Sequence, residues 1–412
     1  MLKNGSHDVL NAWPMVSDSM SYRRLIPSVL EYAQKFKRLD FLDLKIVEAM
    51  HREDIHNLRR LAKSIGAPQQ TVSYHVRRFD REDLVRFRAL INEPKLGLKS
   101  YSVLASGPIG REDASGSALT CFPLWRYLAI IDGWKLGNYV RYAVPPDKER
   151  DLVAFLNELR VRDLISDFEV FATVSPKYPL LNLNFYAKSE RLSVFDWQTW
   201  VQKFDSFEKE TLEEPDNYGR AEFDLIDLMI LRCLELNART TQRKIVEEIR
   251  RTLGEKNGKK FIPMVSRRIR KTINPQGLIT GYRAYLFPNQ ERTVLLFLFY
   301  VAFSNTSSLE AFAAALKHIP YNTSYEKISG KDAMFVRMAL PAYECAGMRK
   351  SLTTLAQEGH IKDAHLMLGE LAHGTWDNVE IYQMFKEDAW NFSFGTAVEM
   401  LEKMLHKPVD KK

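Results

Sequence analysis

Residues 68–98, PQQTVSYHVRRFDREDLVRFRALINEPKLGL, decide how the chain is read. Val72, Val76 and Phe79 stand four and three apart, the spacing of one buried helical stripe, and leave Gln69, Gln70, Ser73, Tyr74, Arg77 and Arg78 on the other faces. Such a helix anchors on one side and reads on the other. Its polar set suits DNA, because Gln pairs with adenine, Arg with guanine or phosphate, and Ser or Tyr with phosphate oxygens. Leu84 to Leu90 then alternates like a strand, as a wing should. An Arg pair alone would be only a solvated helix face; the neighbours give it meaning. Leu39 to Val47 reads as a capped amphipathic helix and His56 to Ile65 as a short second one, with Gly66 as the turn and Pro68 opening the reading helix. That order is a winged helix-turn-helix.

A chain of 412 residues exceeds one ordinary core, so several domains are expected. No run approaches the roughly 18 apolar residues of a membrane span. The N-terminal stretch MLKNGSHDVLNAWPMVSD lacks the continuous apolar segment of a secretory signal, and a cytoplasmic protein is expected. Cys121, Cys233 and Cys345 are scattered and odd in number, which speaks against a disulfide framework or a zinc site. The formal charge of +7 is unevenly placed: Arg239 to Arg283 holds thirteen Lys or Arg against three Glu. A polyanionic partner fits that balance.

Along the chain the winged unit recurs. Asp224 to Ile230 matches Asp40 to Ile46, Val265 to Lys271 matches Val72 to Arg78, Gly281 to Ala284 matches the wing at Arg86 to Ala89, and Phe335 to Pro341 matches Tyr139 to Pro145. Collinear matches of this kind indicate internal duplication. Each winged unit is followed by strands and helices in the split order of a ferredoxin-like sandwich, although Gly107 to Pro123 is only weakly helical in the first. The expected class is α+β, two winged helix-turn-helix domains each followed by a ferredoxin-like α/β sandwich. The expected segments are a tail and helix (1–38), winged helix 1 (39–98), sandwich 1 (99–175), a connector (176–221), winged helix 2 (222–290), sandwich 2 (291–373) and a C-terminal helical extension (374–412).

The motifs Leu39-Asp40 with Asp43 and Ile46, Val72-Ser73 with Val76-Arg77-Arg78, and Arg88-Ala89 with Glu93-Pro94-Lys95-Leu96-Gly97 make the chain resemble the leucine-responsive (feast/famine) family of prokaryotic transcription regulators. The resemblance covers about 39–174 and, more loosely, 222–373. It implies DNA binding at Gln69, Gln70, Ser73, Tyr74, Arg77 and Arg78, and at the matching Ser266, Arg267, Arg268, Arg270 and Lys271. Double-stranded DNA is then the partner, with a small-molecule effector and a homodimer as further expectations. No effector pocket is carried over, because no glycine-marked ligand loop stands out.

Catalysis leaves no clear trace: there is no phosphate-cradling Gly loop, no nucleophile elbow and no Cys pair. His360, His365 and His373 lack a carboxylate motif and read as structural. Trp197, Trp200, Trp376 and Trp390 read as packing residues. The sequence expectation is therefore a sequence-specific DNA-binding regulator without catalysis, cofactor or metal. The alternative is an enzyme, since duplicated chains of this resemblance also occur among siroheme decarboxylases, which bind a tetrapyrrole between sandwich domains. In that case the basic second half would hold porphyrin carboxylates instead of phosphates.

Overall fold

The computed structural model describes residues 35–52, 55, 57–108, 110–134, 136–180, 182–188, 194–209, 211–212, 219–253, 261–286, 294–369, 375–378 and 380–406. The tail and most of the helix expected before residue 38, residues 254–260 and His373 lie outside them.

The first winged unit comprises α1 (Phe41–Arg52), α2 (Leu58–Ile65), α3 (Gln69–Glu82) and the wing strand β1 (Arg86–Ile91). Asp40 and Asp43 start α1 reciprocally, each carboxylate accepting the other's backbone N–H at 2.8 Å. Gly66, at φ +69°, ends α2 in the left-handed conformation that glycine adopts without strain. Val72, Val76 and Phe79 of α3 are buried as the spacing predicts.

The first sandwich runs β2 (Lys99–Ser106), α4 (Glu112–Leu119), β3 (Trp125–Gly133), β4 (Gly137–Val144), α5 (Glu149–Val161) and β5 (Asp167–Thr173). The weakly helical stretch thus forms a real helix. Gly116 is a packing residue in it: a Cβ there would come 3.0 Å from Asn138 Oδ1, so the small side chains of this helix let it lie close on the sheet. The connector supplies two short helices, α6 (Leu183–Lys188) and α7 (Trp197–Gln202).

In the second half, α8 (Leu225–Leu236) repeats the reciprocal cap with Asp224 and Asp227. It is followed by α9 (Gln242–Leu253), α10 (Phe261–Arg268), a π-helical turn over Ile269–Ile273, and the wing β6 (Ile279–Tyr285). The second sandwich runs β7 (Val294–Phe303), α11 (Thr306–Leu316), β8 (Thr323–Lys327), β9 (Ala333–Pro341), α12 (Cys345–Gln357) and β10 (Ile361–Gly369). The chain continues through β11 (Thr375–Asp377), the small β12–β13 pair (Phe385–Lys386, Ala389–Trp390) and α13 (Phe394–Leu405).

The strand order β5-β2-β4-β3 of the first sandwich is repeated as β10-β7-β9-β8 in the second. The two sheets join where β3 meets β10, at Gly133↔Met367 and Asp132↔Leu368. At the other edge bridges Thr173↔Ile328 and Lys177↔Tyr325 bring β5 to β8. The result is a double sheet closed along both edges. Its interior is apolar at one end, where Ile131, Leu298, Phe335 and Met367 cluster, and the helices cover the outer faces. The chain is α+β, as expected from the sequence.

Gly137 opens β4 at φ +151°, a conformation that L side chains rarely adopt, and an added Cβ would overlap the Ala105 carbonyl on β2. Gly137→Ala is therefore expected to lower the thermal midpoint by several degrees, an effect of about 1–3 kcal/mol for backbone strain alone. An unchanged melting curve would show that the β2–β4 contact yields more easily than this geometry allows.

Candidate functional site

The two wings form a single two-stranded antiparallel ribbon. Arg88 of β1 stands directly opposite Arg283 of β6, and these are each other's counterparts in the repeat, so a pseudo-two-fold axis passes between them. The same repeat relates Arg141 on β4 to Arg337 on β9. Strand alternation sends Tyr139 and Arg141 to one face of β4, and Phe335 and Arg337 to one face of β9. In both strands this is the inner face of the closed double sheet, opposite the helix-covered face that carries Val140, Tyr142, Val336 and Met338.

Around these arginines runs a buried network. Glu93 accepts Arg141 through both carboxylate oxygens, at 2.6 and 3.1 Å, and Arg126 Nε at 2.9 Å. Arg126 Nη2 continues to Glu235 at 2.5 Å, whose backbone carbonyl accepts Arg88 Nε at 3.1 Å. On the other side, Arg337 Nη2 lies 3.0 Å from Glu326 Oε1, and Glu326 also accepts Tyr139 and Ser102 hydroxyls at 3.0 Å each. The Arg337 guanidinium sits over the Tyr127 ring at 4.4 Å. Arg283 sits over the Tyr178 ring at 4.7 Å, with Asn322 Oδ1 at 3.5 Å as its polar neighbour.

The charges do not balance evenly. Burial by itself would lower the pKa of Arg141 and Arg337, but Glu93 and Glu326 respectively outweigh it and hold both above the usual arginine value. Arg283 moves the other way: burial lowers it, Arg337 and Arg88 add to the effect, and Arg283 has no ion pair among the described residues. In addition, Nε of Arg141 and Nε of Arg337 are buried without a hydrogen-bond partner. Buried cations with unused donors cost free energy unless an anion completes them, and the planar guanidinium matches a carboxylate in a bidentate fork.

The residues expected to read DNA lie elsewhere. Gln69, Gln70, Tyr74 and Arg77 are exposed on α3 and Ser73 is half-buried, but Arg78 turns back to the Arg38 carbonyl at 2.6 Å and to Asp43 at 3.2 Å. In the second unit Arg267, Arg270 and Lys271 are exposed and Ser266 is half-buried. Arg268 instead pairs with Asp224 and Asp227 at 2.8 and 2.9 Å. The π turn begins at Ile269, so this reading helix is not a copy of the first.

Asp40, Asp43 and His75 come close enough to suggest a metal site. His75 Nδ1 meets Asp43 Oδ1 at 2.5 Å, but the counterpart pair in the second half is Arg268 with Asp227. A cation that cannot ligate metal does the same job there, so the first pair is a helix-to-helix clamp. Zinc or cobalt addition is expected to leave the melting temperature unchanged, and His75→Arg to keep the fold. A stabilisation that grows with cobalt concentration and disappears in His75→Arg would reverse this assignment. His360 packs beside Phe204 and His365 stacks on Trp134 at 4.1 Å, in keeping with structural roles.

The inward arginines were not singled out in the sequence. The available signal was an Arg at the same place in two otherwise apolar strands, NYVRYAV and MFVRMAL. It served there only as evidence of duplication.

No family model matches the chain, and no curated protein matches it. Among solved structures, the siroheme decarboxylase NirDL superposes with a TM-score of 0.52 at 10% identity, over 90% of this chain and 100% of that one. The likeness is one of fold. The same enzyme in co-complex with an iron-uroporphyrin III analogue gives a TM-score of 0.50 at 10% identity, over 88% and 97%. An AsnC-family transcriptional regulator from Agrobacterium tumefaciens covers 32% of this chain and 88% of its own at 19% identity, with a TM-score of 0.27, too low to bear an argument.

These findings correct the expectation of a non-enzymatic DNA-binding regulator. The tandem arrangement on which it rested is shared in fold, along nearly the full chain, with the siroheme decarboxylase NirDL. The physical reason is visible in the wings. They pair with each other, so neither wing is a free hairpin, and Arg88 and Arg283 lie half-buried beside the network between the two halves. Among the described residues no helix is long and apolar enough to cross a membrane.

Proposed function

We propose that the chain is a decarboxylase of a polycarboxylate tetrapyrrole, with Arg88, Arg126, Arg141, Arg283 and Arg337 forming the carboxylate-binding set. One observation carries this reading: the repeat pairs Arg141 with Arg337, both buried with Nε unused, and Arg88 with Arg283, both half-buried, and these guanidinium groups converge between the two halves. A substrate edged with carboxylates would complete them. The full-length likeness to a siroheme decarboxylase supports the same class of substrate.

In this reading the arginines orient the macrocycle and hold the carboxylates that are not removed. A scissile acetate loses CO2 and receives one proton in its place, leaving a methyl group. Tyr139 is not a free acid, since burial raises its pKa and its hydroxyl is committed to Glu326.

The test is direct. Iron-uroporphyrin III added to the purified chain should bind with a change in its absorbance spectrum, and siroheme should lose CO2 in a mass-resolved assay. Arg283→Gln is expected to weaken binding by about 1.5–3 kcal/mol, at least tenfold in Kd, the usual worth of a hydrogen bond to a charged group. Absence of binding by the intact chain, or binding indifferent to Arg283, would overturn the proposal.

A further inference from the structure

The repeat makes the arginines symmetric, but the groups around them are not. Glu93 and Glu235 serve Arg126, Arg141 and Arg88, and Glu326 serves Arg337, whereas Arg283 itself has no carboxylate partner among the described residues. Beside Arg283 stands Tyr178. It follows Lys177, which is bridged to Tyr325 through both backbone bonds, at 2.9 and 3.0 Å, where the two sheets close. Lys177 is exposed and Tyr178 half-buried, in keeping with alternation along an extended segment. The ring lies under the Arg283 guanidinium, and the hydroxyl is within electrostatic reach of Arg141, Arg283 and Arg337. Among the described residues, Tyr139 is bound to Glu326, Tyr127 lies beneath Arg337, and Tyr285 acts on Arg283, whereas Tyr178 acts on Arg141, Arg283 and Arg337 alike.

We infer that Tyr178 is the proton donor for the reaction proposed above, at a single reaction centre on the Arg283 side of the pseudo-two-fold axis. The inference rests on the decarboxylase reading. The step balances without an oxidant. As the bond between the acetate methylene and its carboxylate breaks, CO2 leaves, the electron pair remains on carbon, and the Tyr178 O–H proton is transferred to that carbon. Solvent then returns a proton to the phenolate, whose ring lies under the Arg283 guanidinium. The rest of the network suits the role. Glu326 and Glu93 are each committed to an arginine, so neither competes for that proton.

Tyr178→Phe removes only the hydroxyl and keeps the ring under Arg283. In the full-length chain this variant should bind iron-uroporphyrin III within a few-fold of the unaltered protein, while single-turnover loss of CO2 from siroheme falls by at least about 100-fold, the usual worth of a general acid. Tyr300→Phe, at the far end of the closed sheet beside His365, serves as the control and should turn over normally. If Tyr178→Phe binds and turns over at the normal rate, the donor assignment is wrong and the decarboxylase reading stands. If the unaltered chain neither binds nor decarboxylates, both fall. A variant that loses binding in proportion to turnover assigns Tyr178 to substrate anchoring and overturns its role as donor.

Discussion

Glu93→Ala is expected to destabilise the chain by about 3–5 kcal/mol, the cost of removing one member of a buried ion pair. Glu93 is 3% exposed and is the shared acceptor of Arg126 and Arg141, themselves 5% exposed each. Truncating it leaves Arg141 without its carboxylate, when its Nε is already unpartnered, and leaves Arg126 only Glu235 as a carboxylate partner. Denaturant unfolding measures the loss, and a change below about 1 kcal/mol, the worth of an exposed pair, would show that water reaches the network. The same carboxylate sets an acid limit. Burial alone would raise its pKa, but the charges of Arg141 and Arg126 outweigh burial and hold it below the usual glutamate value. A depressed folded-state pKa contributes stability that is fully present above the unfolded value, about 4.3, and is lost as pH falls through the folded value. Glu93→Gln should therefore be less stable than the unaltered chain at neutral pH, with the difference narrowing below about pH 4.3. A difference that stays constant down to pH 3 would separate Glu93 from the acid response.

The legible part of the sequence was its periodicity and its repetition. The Val72, Val76, Phe79 stripe and the capped start of the first helix follow from local chemistry acting within a few residues. The site was not local. Arg141, Arg283, Arg337 and Tyr178 converge only because β3 pairs with β10 and β1 with β6, contacts spanning well over a hundred residues. Exposed cations on the reading helices drew attention because helical spacing exposes them regardless of purpose. Arg78 and Arg268, the two that point inward, hold the winged units together, and charge alone does not distinguish them from Arg77 or Arg267. A guanidinium in an apolar strand was the better clue, because burying it costs several kcal/mol unless a partner is supplied.

Trp197→Ala is expected to cost at least about 3 kcal/mol, the lower range for emptying a buried aromatic site. Trp197 lies on the short helix α7 and is 6% exposed, with Phe195 at 4.9 Å and Trp200 at 5.8 Å, both edge-on. Its indole Nε1 donates to Glu344 at 2.6 Å, and Glu344 also accepts the Phe195 backbone N–H and the Tyr321 hydroxyl. Truncation therefore opens a cavity and removes one of three donors from a buried carboxylate. Gly347 on α12 is the complement of this ring, since a Cβ there would overlap the indole. Gly347→Ala should destabilise as well, and combining it with Trp197→Ala should cost less than the two single losses added, because the new methyl enters the space that the ring leaves. Strict additivity would mean that the two residues do not share this space. The Trp197 cluster belongs to the outer helix layer of the second sandwich, while the arginines face the interior between the halves. At temperatures where Trp197→Ala remains folded, it should bind iron-uroporphyrin III as the unaltered chain does, whereas Arg283→Gln should lose affinity without a comparable fall in melting temperature.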